Sequence, residues 1–215
     1  MKTIYEIFHH EHDDEYIEDN RLFKVFVFGL PRSGTSLMTH ICELLGVNMI
    51  HSSESKKESN DKRYKEMFGE YHPNENGFFE ISELPLKHYL DVISEPYSGC
   101  KMIIPVTDTR WELVNLVPCK IIMMERNAKE IKESQEAFYS QKSDLAYIRS
   151  ALINEKLKLK ESGLPYLVIN YNNLIEYPEE NISKIKEFIR SSEDIEEAVK
   201  FVNPQNYRHR YAGTI

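Results

Sequence analysis

The chain has 215 residues, 41% hydrophobic and 29% charged, a length and balance that fit one α/β domain and leave little room for two. Its formal net charge of −8 excludes a broad nucleic-acid footprint, which needs a basic surface, but a local cationic pocket for an anionic ligand remains compatible with it. Three widely spaced cysteines, Cys42, Cys100 and Cys119, give neither a disulfide framework nor a zinc pattern, and each lies in an apolar stretch.

In chain order, residues 1–22 are polar and carry acidic side chains where a signal peptide would be basic and then apolar. His9, His10 and His12 stand there among acidic residues and could bind a metal. The plainer reading, a solvated and frayed terminus, is preferred. Lys24-Val25-Phe26-Val27-Phe28 reads as a short buried strand that stops at Gly29. A helix over 35–45 follows, with Leu37, Ile41, Leu44 and Leu45 on one face and Gly46 as its stop.

Residues 51–76 are polar with few apolar anchors, the pattern of a long loop or a mobile helix, and long loops are often functional. A helix is expected over 84–93. Further strands are expected at 101–104, at 120–124, which is the most apolar, and at 166–170. Helical patterns cover 128–141, 145–161, 179–190 and 195–202. No stretch of 18 apolar residues occurs, so no transmembrane segment is expected, and a reducing cytoplasmic location is. Strands alternating with helices point to parallel βαβ units. The expected fold is a three-layer α/β domain of P-loop type over 1–215, with a central, mostly parallel sheet flanked by helices. Ligands in such sheets sit at the carboxyl ends of the strands, which places residues 29–36 and Glu125-Arg126 on one rim.

The segment Gly29-Leu30-Pro31-Arg32-Ser33-Gly34-Thr35-Ser36 follows a strand and opens a helix. Its glycine spacing and final Ser match the phosphate loop G-x-x-x-x-G-K-[ST], but Thr35 holds the Lys position and the cation lies earlier, at Arg32. Backbone N–H groups at such a helix start can still cradle a phosphate. The later strand ends in Glu125-Arg126, putting a cation where a metal-dependent kinase wants an anion. The site therefore reads as one for an anion without a metal ion. The alternative is an ordinary glycine turn.

These residues resemble the sulfotransferase family that uses 3′-phosphoadenosine-5′-phosphosulfate (PAPS). Residues 27–37 are similar to its 5′-phosphosulfate loop, P-[KR]-S-G-T-[ST]. Lys120 to Met124, then Glu125-Arg126-Asn127 and Ser134, resemble its 3′-phosphate motif, with Ala128 where the family usually has Pro. Val168 to Leu174 resembles the strand ending in Tyr-Glu-[ND]-Leu, with Asn172 for Glu. Asn74-Glu75-Asn76-Gly77-Phe78-Phe79-Glu80 resembles a bacterial-type segment, and Asn206-Tyr207-Arg208-His209-Arg210 a basic C-terminal one. Lys101 falls where that branch has Lys-Asp-Pro-Arg, but the residues after it depart from the pattern.

The resemblance implies sulfuryl transfer from PAPS to an acceptor hydroxyl or amine, leaving 3′-phosphoadenosine-5′-phosphate (PAP). Arg32 would meet the sulfonate and the bridging oxygen. Pro31, Ser33, Gly34, Thr35 and Ser36 would form the 5′-phosphate cradle, and Arg126 and Ser134 would hold the 3′-phosphate with Arg208 or Arg210. Glu80 is the first candidate base, since Phe78 and Phe79 could dry it and raise its pKa, and His51 is the second. Spacing alone does not bring Arg126 and Ser134 together: eight residues of helix span about 12 Å, and Arg126 could instead pair with Glu130 while Ser134 faces solvent. The acceptor is a small molecule or a glycan, with lipid head groups and peptides also open. An atypical small-molecule kinase and a non-catalytic nucleotide-binding protein of the same fold are the alternatives.

Overall fold

The computed structural model describes residues 23–50, 92, 94–106, 108–139 and 141–202. His51, Glu80, Arg208, Arg210, the N-terminal histidines and the long loop or mobile helix expected over 51–76 lie outside the described residues, as does the expected helix over 84–93 apart from residue 92. The elements are β1 (Lys24–Gly29), α1 (Thr35–Leu44), β2 (Asn48–Met49), β3 (Ser98–Ile103), α2 (Asp108–Asn115), β4 (Cys119–Glu125), α3 (Ala128–Tyr139), α4 (Leu145–Ser162), β5 (Tyr166–Asn170), α5 (Tyr171–Glu176), α6 (Pro178–Ile189) and α7 (Glu196–Phe201).

The five strands form one parallel sheet in the order β2-β3-β1-β4-β5. The central strand β1 is buried along its whole length. Its side chains alternate between two cores, as pleating requires. Phe26 and Phe28 join Ile121 and Met123 of β4 and side chains of α2, α3 and α4 on one face. Val25 and Val27 join Ile122 and Met124 and side chains of α1, α5, α6 and α7 on the other. Both faces are thus covered, the condition under which a parallel sheet is stable, and the three-layer α/β architecture is that expected from the alternation of elements.

The helices that follow β1 and β4, α1 and α3, pack on opposite faces of the sheet. The carboxyl ends of β1 and β4 therefore open onto one crevice, the usual ligand position in such sheets. Three elements have no counterpart in the sequence reading: the two-residue β2, α2 and α5. The helix expected over 128–141 ends at Tyr139.

Candidate functional site

The residues between β1 and α1 form a loop bent by two left-handed residues, Arg32 (φ 72°) and Gly34 (φ 99°). At position 34 glycine is required twice over. A side chain there would be strained by the positive φ, and a Cβ would overlap the Tyr171 ring. A Cβ at Gly29 would lie 2.5 Å from Ser33 Oγ and 2.6 Å from Thr35 Cγ2, so the strand end must also be bare for the loop to fold back over it.

Three consecutive carbonyls of this loop are engaged, the first within the loop and the next two by side chains at and after the end of β4. Leu30 O accepts from Ser33 N at 3.1 Å, Pro31 O from Gln135 Nε2 at 3.1 Å, and Arg32 O from Arg126 Nη1 at 3.1 Å. Helix α1 opens at Gly34 with no side-chain cap. Carbonyls already occupied by donors and an uncapped helix start are what a backbone anion cradle needs. Ser33 is fully buried and its Oγ has no hydrogen-bond partner among the described residues.

Arg126, just past the end of β4, is buried. Its Nε donates to Glu130 Oε2 at 3.0 Å, and its guanidinium lies 4.6 Å from the centre of the Tyr171 ring. Glu130 Oε1 accepts from Asn172 Nδ2 at 3.2 Å, so both carboxylate oxygens are engaged. Asn172 Oδ1, with its amide nitrogen committed to Glu130, has no partner among the described residues. Burial pushes the Tyr171 hydroxyl pKa up, and the nearby Arg126 and Arg32 oppose this.

Ser134 does not face solvent: it is buried, and its Oγ accepts from Arg32 Nε at 3.1 Å. The Arg32 guanidinium also stacks over Phe138 at 4.9 Å. Arg126 thus takes the Glu130 partner allowed by their spacing, while Ser134 is met by the loop arginine. The structure brings together Pro31, Arg32, Ser33, Gly34, Thr35, Ser36, Arg126 and Ser134.

It adds residues the sequence reading did not assign. Lys101, buried on β3, donates to Ser36 Oγ at 3.3 Å. Its inward position follows from the register Val27↔Lys101, and a lone Lys in an apolar strand was the available signal. Gln135 gave no signal of its loop contact. Glu125, at the end of β4, pairs with Lys156 of α4. Among the described residues no group of three or more His, Cys, Asp or Glu side chains is placed to hold a metal ion, and no helix is long and apolar enough to cross a membrane.

The chain matches a family model described as sulfotransferase domain over residues 24–206. No curated protein matches it by sequence. Among solved structures it is similar to mouse sulfotransferase SULT7A1 complexed with PAP, with a TM-score of 0.53 and 15% identity over 85% of this chain and 63% of that one. It is similar to the sulfotransferase domain of the Synechococcus PCC 7002 olefin synthase, with a TM-score of 0.50 and 15% identity over 85% of this chain and 78% of that one. Shikimate kinase from Bacteroides thetaiotaomicron gives a TM-score of 0.47 at 16% identity over 78% of this chain and 98% of that one. The chain thus spans less than two thirds of the mouse sulfotransferase.

Proposed function

The chain belongs to the sulfotransferase domain family, and on that premise we propose that it moves a sulfuryl group from PAPS to an acceptor hydroxyl or amine without a metal ion. The observation that carries the reading is the meeting, on one sheet rim, of a phosphate loop lacking its lysine with Arg32, Arg126 and Ser134.

In this reading the start of α1 and the hydroxyls of Thr35 and Ser36 take the 5′-phosphate, and Lys101 adds charge through Ser36. Arg126 and Ser134 take the 3′-phosphate, joined by Arg208 or Arg210. The acceptor oxygen attacks sulfur in line. A new O–S bond forms while the bond from sulfur to the bridging phosphate oxygen breaks. That electron pair leaves with PAP, and the acceptor proton goes to a base, Glu80 or else His51. Charge grows on the bridging oxygen, where a fixed cation stabilises the transition state most, and Arg32 is assigned there. Placing the protein in the cytoplasm and its acceptor among small molecules or glycans belongs to the same reading.

The test is binding and transfer. PAP should bind with an affinity that EDTA leaves unchanged within twofold, roughly the scatter of a titration. Sulfur-labelled PAPS, screened against sugars, phenols, alcohols and peptides, should label one acceptor class. Tight ATP binding that collapses in EDTA would replace this reading with a kinase.

A further inference from the structure

Glu155 lies in the middle of α4 with 1% of its surface exposed. Both of its oxygens accept from neutral N–H groups: Oε1 from Trp111 Nε1 at 2.8 Å and Oε2 from the backbone of Val106 at 3.3 Å. Burial pushes its carboxyl pKa up, against these two hydrogen bonds and the charge of Lys158. A leucine would fill the same space without burying a carboxylate, so the packing of α4 does not call for one.

The two groups it holds lead to the same place. Val106 closes the turn after β3, and in that turn Ile104 N donates to Gly29 O at 3.1 Å. Trp111 of α2 packs edge-on against Phe28, with ring centres 5.5 Å apart at 80°. Phe28 and Gly29 are the residues from which the phosphate loop departs. One carboxylate is therefore linked to the root of the loop twice, through the 104–106 turn and through the indole ring.

We propose that Glu155 is a positioning residue for the phosphate loop: it fixes the turn after β3 and the Trp111 ring, and these fix where the loop begins. It touches no ligand, and its role rests on the reading of residues 29–36 as a phosphate site.

The test is Glu155→Gln, which keeps the size but turns a donor toward a donor on one of the two contacts. Trp111 is the only tryptophan, so its indole N–H is a single NMR signal. In the protein without nucleotide, that signal and the amides of Gly29, Ser33 and Gly34 should move in the variant, while those of α6 stay. Affinities for PAP and for adenosine 5′-monophosphate should fall together, by about three- to tenfold, the effect of one hydrogen bond, leaving their ratio unchanged. Stationary loop signals, or a lowered denaturation midpoint with full nucleotide affinity, would overturn the proposal. If Glu155→Gln does not fold, Trp111→Phe keeps the ring on Phe28 and removes the N–H. Smaller movements of the same loop amides are then expected, and their absence refutes the role. Equal wild-type affinity for the two nucleotides would sink the PAPS reading alone, because the loop amides decide the role of Glu155 without any ligand.

Discussion

Arg126 answers to the fold and to the proposed ligand at once. Its pair with Glu130 is almost wholly removed from water, with side-chain exposures of 7% and 1%. Truncating one partner of such a pair leaves an uncompensated buried charge, at a cost of about 3–5 kcal/mol. Arg126→Ala should therefore lower stability, and its effect on binding is best read as a ratio. Affinity for PAP should drop about tenfold to a hundredfold relative to adenosine-5′-phosphosulfate, which lacks the 3′-phosphate, as expected for one or more charge-assisted hydrogen bonds. Equal losses for both ligands, measured by calorimetry on the folded variant, would remove Arg126 from the 3′ site. The i,i+4 spacing made the Glu130 pair legible in the sequence. The Arg32–Ser134 bond was not, because it joins residues 102 positions apart.

Among the elements, α4 shows most directly how local sequence sets a boundary. Asp144 caps its start, Oδ1 accepting from Ala146 N at 2.8 Å, and Gly163 ends it in the left-handed conformation, φ 69°. Asp144→Ala should reduce stability by about 1 kcal/mol, seen as a lower urea midpoint with an unchanged slope. An unchanged midpoint would mean that the cap contributes nothing. The two helices absent from the sequence reading are short. The buried side chains of α2 that join a core include Trp111 and Val114, too few to show a period. Helix α5 begins where Asn170, the last strand residue, accepts from Asn172 N at 3.0 Å and Asn173 N at 3.1 Å. Asparagine signals turns as readily as caps, so its neighbours did not announce six residues of helix.

At the scale of the molecule, the two cores enclose all three thiols: Cys100 and Cys119 on one face, Cys42 on the other. Burial pushes each thiol pKa above its ordinary value of 9.0, to about 12 for Cys100 and Cys119. The folded values exceed the unfolded ones, so the stability these thiols contribute is complete below pH 9 and is lost as pH rises from 9 toward 12. The native protein should resist a thiol reagent at pH 8, and all three cysteines should react on unfolding. A native thiol that reacts as fast as the unfolded chain would contradict the burial.

The sequence by itself determined the α/β class, the strands at 24–28, 120–124 and 166–170, the longer helices and the loop at 29–36. Each of these rests on a local signal: an apolar run, a helical period, or a glycine at a bend that only glycine tolerates. Local signals fix backbone conformation because sterics and hydrogen bonding act over a few residues. Only the tertiary structure decided that Ser134 is met by Arg32, that Lys101 reaches Ser36, that Gln135 grips Pro31, and that Glu155 is tied to the root of the loop. Those partners are 49 to 104 residues apart, or 44 for Glu155 and Trp111. They meet because the parallel sheet must bury both faces, and that packing, with no trace in any local window, sets which helix face lies over which strand end.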